Sequence, residues 1–201
     1  MKILSRTDSI LQLSRRLDWR FLLPEPQLRR VAYCGPEHST LAIALREFSE
    51  EFHTFAPTAP PSEGGFDVAV LAAPTVPQLA IAQQWLAPGG HLYAEAQHAW
   101  DWRTERKLPV RSRKALSIED WLENLARLGF VESKAYWHRP SFERAVQIIP
   151  LHDDGARDFV FARRSDDFMS QLKSVTGRSV MKNAWLARLL QCVSLVARKQ
   201  P

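Results

Sequence analysis

The sequence contains few cysteines and no long hydrophobic segment. Its two cysteines, Cys34 and Cys192, form no Cys-x-x-Cys pair, which excludes a disulfide framework and a zinc motif of that type. No apolar run reaches the roughly 18 residues that a membrane-spanning helix needs, and the first residues lack the apolar region of a signal peptide. We therefore expect a cytoplasmic protein, and its length of 201 residues is typical of one domain with its own core.

Acidic residues are absent after Asp167, although six basic residues follow it. Residues 1–167 carry 21 basic and 22 acidic side chains, so the net charge of +5 belongs to the C-terminal part. Two interpretations of the basic segment 168–201 stay open. It is a solvated face on a C-terminal helix, or it docks to a protein partner or to an anionic membrane surface, which would make the protein peripheral at the membrane. The near-neutral remainder gives no support to specific nucleic-acid binding.

Glycine is also scarce, and one of the eight glycines marks the start of the fold. The apolar run 31–34 ends at Gly35, and Ser39 precedes a stretch with helical spacing of its apolar residues. A strand, a glycine turn and a helix in this order are typical of the first unit of a doubly wound α/β domain, at the edge that binds nucleotides or phosphates.

The same alternation continues along the chain. The sequence predicts strands at 30–34, 51–56, 66–74, 91–96, 130–137 and 194–199, and helices at 8–17, 39–48, 76–86 and 117–128. This order indicates an α/β fold with a mostly parallel sheet that is covered on both faces. We expect one domain over 1–201, with an N-terminal helical segment 1–29 and a helical insertion 138–192 before the last strand. Residues 158–163 are the alternative last strand.

Several segments together resemble a known family. The loop at Gly35 is followed by FDVAVLAAP, LAPGGHLYAEA, WLENLARLGFVESKAYW and a terminal SLVARK. In this order they resemble the class I S-adenosylmethionine-dependent methyltransferases, from about Arg30 to the C-terminus. The resemblance implies a Rossmann-like fold that holds S-adenosylmethionine over the carboxyl ends of the first strands, without a metal. The cofactor-binding residues that it implies are Cys34, Gly35, Pro36, Glu37, His38, His53 and Ala72.

The sequence departs from the family pattern at the loop. Tyr33 and Glu37 stand where the family has glycines, and Val31 replaces the acid that usually precedes the loop. The second strand ends without the carboxylate that holds the ribose, and one strand–helix unit is missing after it. Because a side chain crowds a ligand that glycine admits, two alternatives stay open. Either the cofactor binds through a remodelled loop, with Glu37, His38 and His53 as substitute polar groups, or it does not bind.

The resemblance also implies where catalysis would occur. Residues 72–75 read Ala-Ala-Pro-Thr, where family members that methylate amino groups carry an Asn-Pro-Pro-Tyr type motif, so transfer to oxygen is favoured. The base is expected after the strand predicted at 91–96, where His98 and Asp101 are the candidates. A substrate-binding wall is expected at Tyr136, Trp137, His138 and Arg139.

Two functions from different classes follow. The first is a methyltransferase that uses S-adenosylmethionine and acts on a small anionic or glycosylated metabolite. The alternative is a catalytically inactive, methyltransferase-like binding or scaffold protein. Its basic C-terminal segment would dock a partner enzyme or a membrane surface.

Overall fold

The computed structural model describes residues 6–56, 64–96, 116–156 and 192–201. The helices are α1 (Arg6–Arg16), α2 (Thr40–Phe48), α3 (Val76–Trp85) and α4 (Ile118–Arg127), with short 3-10 helices at Asp18–Leu22 and Phe142–Arg144. The strands are β1 (Arg30–Cys34), β2 (Glu51–Thr54), β3 (Phe66–Ala72), β4 (Leu86–Ala96), β5 (Phe130–Arg139), β6 (Gln147–Pro150) and β7 (Val193–Lys199). The α/β fold that the sequence predicts is confirmed.

The strands form one sheet of seven, in the order β2-β1-β3-β4-β7-β5-β6. The first four strands run parallel, whereas β7 lies antiparallel between β4 and β5, and β6 pairs antiparallel with β5. Strands β1 to β5 therefore point in one direction, and the sheet is mostly parallel, as predicted. We call the edge where these five strands end the carboxyl edge.

Helices cover both faces of the sheet. On one face, α1 and α2 pack over a core that includes Trp19, Tyr33 and Tyr93. On the other face, α3 and α4 pack over a core that includes Trp85 and Trp121. Trp19 is a core residue, since it is 1% exposed and its ring stacks on that of Tyr93 at 3.9 Å between centroids.

The end of the sheet differs in part from the sequence prediction. The last strand is Val193–Lys199, which confirms the choice of 194–199; the alternative, 158–163, lies outside the described residues, as does most of the insertion 138–192. Residues 147–150 form an additional strand, which the sequence did not predict, and it pairs with 136–139 of β5. Only four residues form it, so its strand character comes from pairing rather than from a visible sequence period.

Two further boundaries differ. Strand β4 begins at Leu86 instead of residue 91, because residues 86–90 form an irregular start of the strand. Its register against β3 passes from Leu86 opposite Phe66 to His91 opposite Val68. Strand β2 ends at Thr54, and the 55–65 link to β3 is too short for a further strand and crossover helix. In the described ranges no helix has the length and apolarity to cross a membrane.

Candidate functional site

The glycine loop, residues 35–39, joins the carboxyl end of β1 to α2. Ser39 caps α2, because its Oγ accepts a hydrogen bond from the Ala42 amide at 3.1 Å. The Tyr33 hydroxyl donates to the Pro36 carbonyl at 3.2 Å and lies 2.9 Å from Ser39 Oγ. The predicted ligands Pro36, Glu37 and His38 are exposed. The loop is therefore tied to the core through Tyr33 and presents its middle residues to solvent.

Tyr33 fills the space on one side of Gly35. A Cβ atom on Gly35 would lie 2.4 Å from Tyr33 Oη and 2.7 Å from Ala72 Cβ, closer than side-chain atoms approach one another. The Tyr33 side chain is fully buried, and burial raises the pKa of its hydroxyl, which stays protonated at neutral pH. Tyr33 thus points into the core below the loop, and only Glu37, of the two residues that replace glycines, faces solvent.

The end of β2 is aromatic rather than acidic. Phe55 follows the strand and stacks on Trp85, with ring centroids 4.7 Å apart. The ring of His53, a predicted cofactor ligand, meets the ring of Phe66 edge-on at 5.3 Å. His53 therefore belongs to an aromatic group on the α3 face, whereas Cys34 to His38 and Ala72 line the carboxyl edge.

Small residues form the end of β3. Ala73 has a φ of +54°, in the left-handed region that residues with a side chain seldom adopt. Its amide donates to the Glu95 carbonyl at 3.0 Å, so the turn after β3 is fastened to the end of β4. Backbone strain of this kind is frequent at ligand sites. Gly35, Ala72 and Ala73 are all half-exposed at this edge.

A buried ion pair lies at the end of β4, and the sequence did not predict it. Arg16 binds Glu95 in bidentate fashion, with Nη1–Oε1 at 2.7 Å and Nη2–Oε2 at 2.8 Å, and the two side chains are 4% and 9% exposed. The Tyr93 hydroxyl donates to Glu95 Oε1 at 3.0 Å. Arg16 Nε also donates to Glu143 Oε1 at 3.3 Å, and Glu143 Oε2 accepts from Thr40 Oγ1. We call these five residues the Arg16 cluster.

The charges of this cluster are mutually stabilised. Burial lowers the pKa of Arg16, but the Glu95 carboxylate outweighs burial and the net pKa is raised. Burial and the negative charge of Glu95 together raise the pKa of Tyr93 well above its ordinary value. One signal in the sequence indicates the cluster: Glu95 is the only carboxylate in the otherwise largely apolar strand segment HLYAEA.

The predicted substrate wall divides between the two faces of the sheet. Tyr136 and His138 face the α1 side, and His138 is buried with its Nε2 at 2.7 Å from Ser194 Oγ. Burial, assisted by the positive charge of Arg16, lowers the pKa of His138 to about 3, so this residue is neutral. Trp137 packs on the other face, where the Arg139 guanidinium lies 4.8 Å from its ring centroid. Of these four residues, only Trp137 and Arg139 are half-exposed.

The catalytic candidates His98 and Asp101 lie outside the described residues, as does most of the basic segment 168–201. Within the part of the chain that the structure describes, no group of three or more His, Cys, Asp or Glu residues could hold a metal ion.

Comparisons with known proteins show which fold the chain has. No family model and no curated protein matches the sequence. A SAM-dependent methyltransferase from Thermotoga maritima, 12% identical, matches with a TM-score of 0.51 over 96% of this chain and 90% of its own. Another from Archaeoglobus fulgidus, also 12% identical, has a TM-score of 0.51 with 94% of both chains covered. The chain has the class I methyltransferase fold.

A third match supports the same fold. It is a chain from the Haloferax volcanii complex of the Trm112 methyltransferase activator with a methyltransferase, 13% identical, with a TM-score of 0.52 over 96% of this chain and 92% of its own. The resemblance drawn from the sequence is therefore confirmed at the level of the fold, including the position of the glycine loop at the first carboxyl end.

This methyltransferase fold implies S-adenosylmethionine at the carboxyl edge. At this edge the exposed residues 36–38 accompany Gly35, which is half-exposed and packs against the small Ala72. Tyr33 closes the core side of Gly35, so a ligand has access from the solvent side. At the ribose end β2 offers no carboxylate, and Glu37 is the acid that the loop itself supplies.

Proposed function

We propose that this chain is an S-adenosylmethionine-dependent methyltransferase that acts on a small anionic or glycosylated metabolite, with transfer to oxygen favoured. The observation that carries the proposal is the carboxyl edge of a methyltransferase fold, where the half-exposed Gly35, Ala72 and Ala73 accompany the exposed residues 36–38. The cofactor, when bound, supplies an electrophilic methyl group. Glu37 and His38 would hold its polar groups, in place of the missing carboxylate of β2.

The acceptor side follows from the residues around this edge. Residues 72–75 contain no side chain that would orient an amine, which supports a hydroxyl or carboxyl acceptor. A hydroxyl must lose its proton, and His98 or Asp101 would accept it after β4. The Arg139 cation over Trp137 offers an aromatic face and a positive charge, a combination that suits an anionic or sugar-bearing ligand.

Calorimetric titration with S-adenosylmethionine and its demethylated product tests the proposal. We expect micromolar binding, and absence of heat at millimolar ligand would overturn it. Glu37→Ala should lower the affinity about tenfold, the value of one good hydrogen bond to a charged group. Glu47→Ala, which removes an exposed carboxylate on α2, is the matched control and should leave the affinity unchanged.

A second candidate is a binding or scaffold protein that has the fold without the cofactor. It is favoured by the hydroxyl of Tyr33, which fills one side of Gly35, and by the aromatic end of β2. Such a protein would dock an acidic partner or an anionic membrane through segment 168–201. Binding to anionic vesicles that weakens with salt, together with no heat from S-adenosylmethionine, would support this candidate.

A further inference from the structure

Glu143 is a carboxylate held by donors from two other elements. Its Oε1 accepts from Arg16 Nε of α1 at 3.3 Å, and its Oε2 accepts from the hydroxyl of Thr40. Thr40 is the first residue of α2 and directly follows the cap Ser39, so the contact lies beside the glycine loop. The side chain of Arg16 is 4% exposed whereas that of Glu143 is 53% exposed. The acceptor is therefore at the surface and its charged donor is in the core.

The two carboxylates of Arg16 are not equivalent. Glu95 takes both Nη atoms at 2.7 and 2.8 Å, so it compensates the buried charge without help from Glu143. Departure of Glu143 would leave no buried ion unpaired, but Arg16 Nε and the Thr40 hydroxyl would lose their acceptor. Only the Arg16 donor is buried, so only its loss of a partner carries the cost of an unpaired buried group, whereas the exposed Thr40 hydroxyl is free to bond to water. The two donors are spaced to receive both oxygens of one carboxylate.

We propose that Arg16 and Thr40 form a carboxylate-binding site, which Glu143 fills in the free protein and from which the carboxylate of the methyl acceptor displaces it. The guanidinium and the partial positive charge at the start of α2 both favour an anion there. The role in acceptor binding rests on the proposed function, and it narrows the anionic metabolite to a carboxylate-bearing one. The affinity of the site for carboxylates does not depend on that function.

Glu143→Ala exposes the site to a small carboxylate. Acetate, titrated at constant ionic strength and followed by amide NMR, should give saturable shifts at Thr40, Leu41 and Ala42. The variant should bind acetate at least about tenfold more tightly than the wild type does, because the Glu143 carboxylate no longer competes for the charge-assisted hydrogen bond from Arg16. Acetamide, which has the same shape without the charge, should give no saturable shift. Phosphate binding as tight as acetate binding would contradict the assignment to carboxylates.

Two further variants separate the site from a general charge effect. Glu123→Ala removes an exposed carboxylate that pairs with Arg127 on α4, and it should leave acetate binding at the wild-type level. Thr40→Val in the Glu143→Ala background should weaken acetate several-fold, whereas a purely electrostatic effect would survive this change. Glu143→Gln keeps the side-chain shape and repeats the experiment if the alanine variant does not fold.

The outcomes also separate this proposal from the proposed function. Acetate binding in the Glu143 variants without heat from S-adenosylmethionine would retain the site and reject the methyltransferase. Binding of the cofactor with no saturable acetate shift in either Glu143 variant would retain the methyltransferase and overturn the site.

Discussion

The ends of β1 and β4 lie on the same edge of the sheet, but the polar groups are exposed at β1 and buried at β4. At β1 the polar residues 36–38 are exposed, and the core below them contributes the neutral hydroxyl of Tyr33. At β4 the charges themselves are buried, as the bidentate pair of Arg16 and Glu95. Val31 and the carboxyl end of β2 lack the acids that the family pattern has at these positions, and the buried carboxylate of this edge is on β4. The loop therefore presents polar side chains to solvent, whereas the Arg16 cluster joins α1 to the sheet through a buried ion pair.

The largest loss of stability is expected from a substitution in the buried ion pair at the end of β4. Glu95→Ala leaves a guanidinium that is 4% exposed with Glu143 as its remaining carboxylate. Loss of one partner of a buried ion pair destabilises proteins by about 3–5 kcal/mol, and we expect a decrease of that size in the free energy of unfolding measured with urea.

The control for this prediction is a pair on the surface. Arg127 and Glu123 on α4 are 68% and 61% exposed, so Glu123→Ala should cost about 0–1 kcal/mol. If Glu95→Ala costs no more than Glu123→Ala, then the buried pair does not hold α1.

Gly35→Ala is the corresponding change at the end of β1. The new Cβ would meet Tyr33 Oη at 2.4 Å and Ala72 Cβ at 2.7 Å, and the Tyr33 side chain is fully buried. Overpacking of this kind costs up to about 3 kcal/mol, which thermal or urea unfolding will show. Gly64→Ala is the control, because its Cβ would have no neighbour nearer than 3.7 Å, and it should be close to neutral.

The parts of this edge that could be predicted from sequence are those set by neighbouring residues. Ser39 and Ser117 cap helices because each side chain bonds to an amide three residues later, and such contacts are visible in a local sequence pattern. The glycine loop was predictable for the same reason, since the strand, the glycine and the cap are contiguous.

The Arg16 cluster was not predictable, because its pairs join distant segments. Arg16 and Glu95 are separated by 79 residues. The apolar context of Glu95 shows that its carboxylate is unusual, but nothing local identifies Arg16 as its partner. The direction of Tyr33 has the same cause: an apolar strand does not show which face each side chain takes until α1 and α2 are packed on it. His98 and Asp101 remain predictions.

The pH dependence of stability tests the burial of His138 beside Arg16. Burial beside Arg16 lowers the pKa of His138 from 6.5 to about 3, so the unfolded chain binds a proton that the folded protein excludes. The contribution of the neutral histidine is complete above pH 6.5 and is lost as the pH falls toward 3. We expect a loss of about 2 kcal/mol at pH 5 relative to pH 7, which His138→Gln should lack. Parallel pH curves for the two proteins would contradict the buried, neutral state.

The smallest effect is expected for the hydroxyl of Tyr33. Tyr33→Phe removes the contacts to Pro36 and Ser39 but leaves the cap from Ser39 to Ala42, so unfolding should become easier by only about 1 kcal/mol. Hydrogen exchange should accelerate at residues 37–39 and stay unchanged in β4, because the hydroxyl touches the loop alone. Tyr93→Phe is the matched change in the other region; its partner is the buried carboxylate of Glu95, so it should cost about twice as much. Equal costs for the two hydroxyls, with exchange spread over both regions, would show that the loop and the Arg16 cluster unfold as one unit.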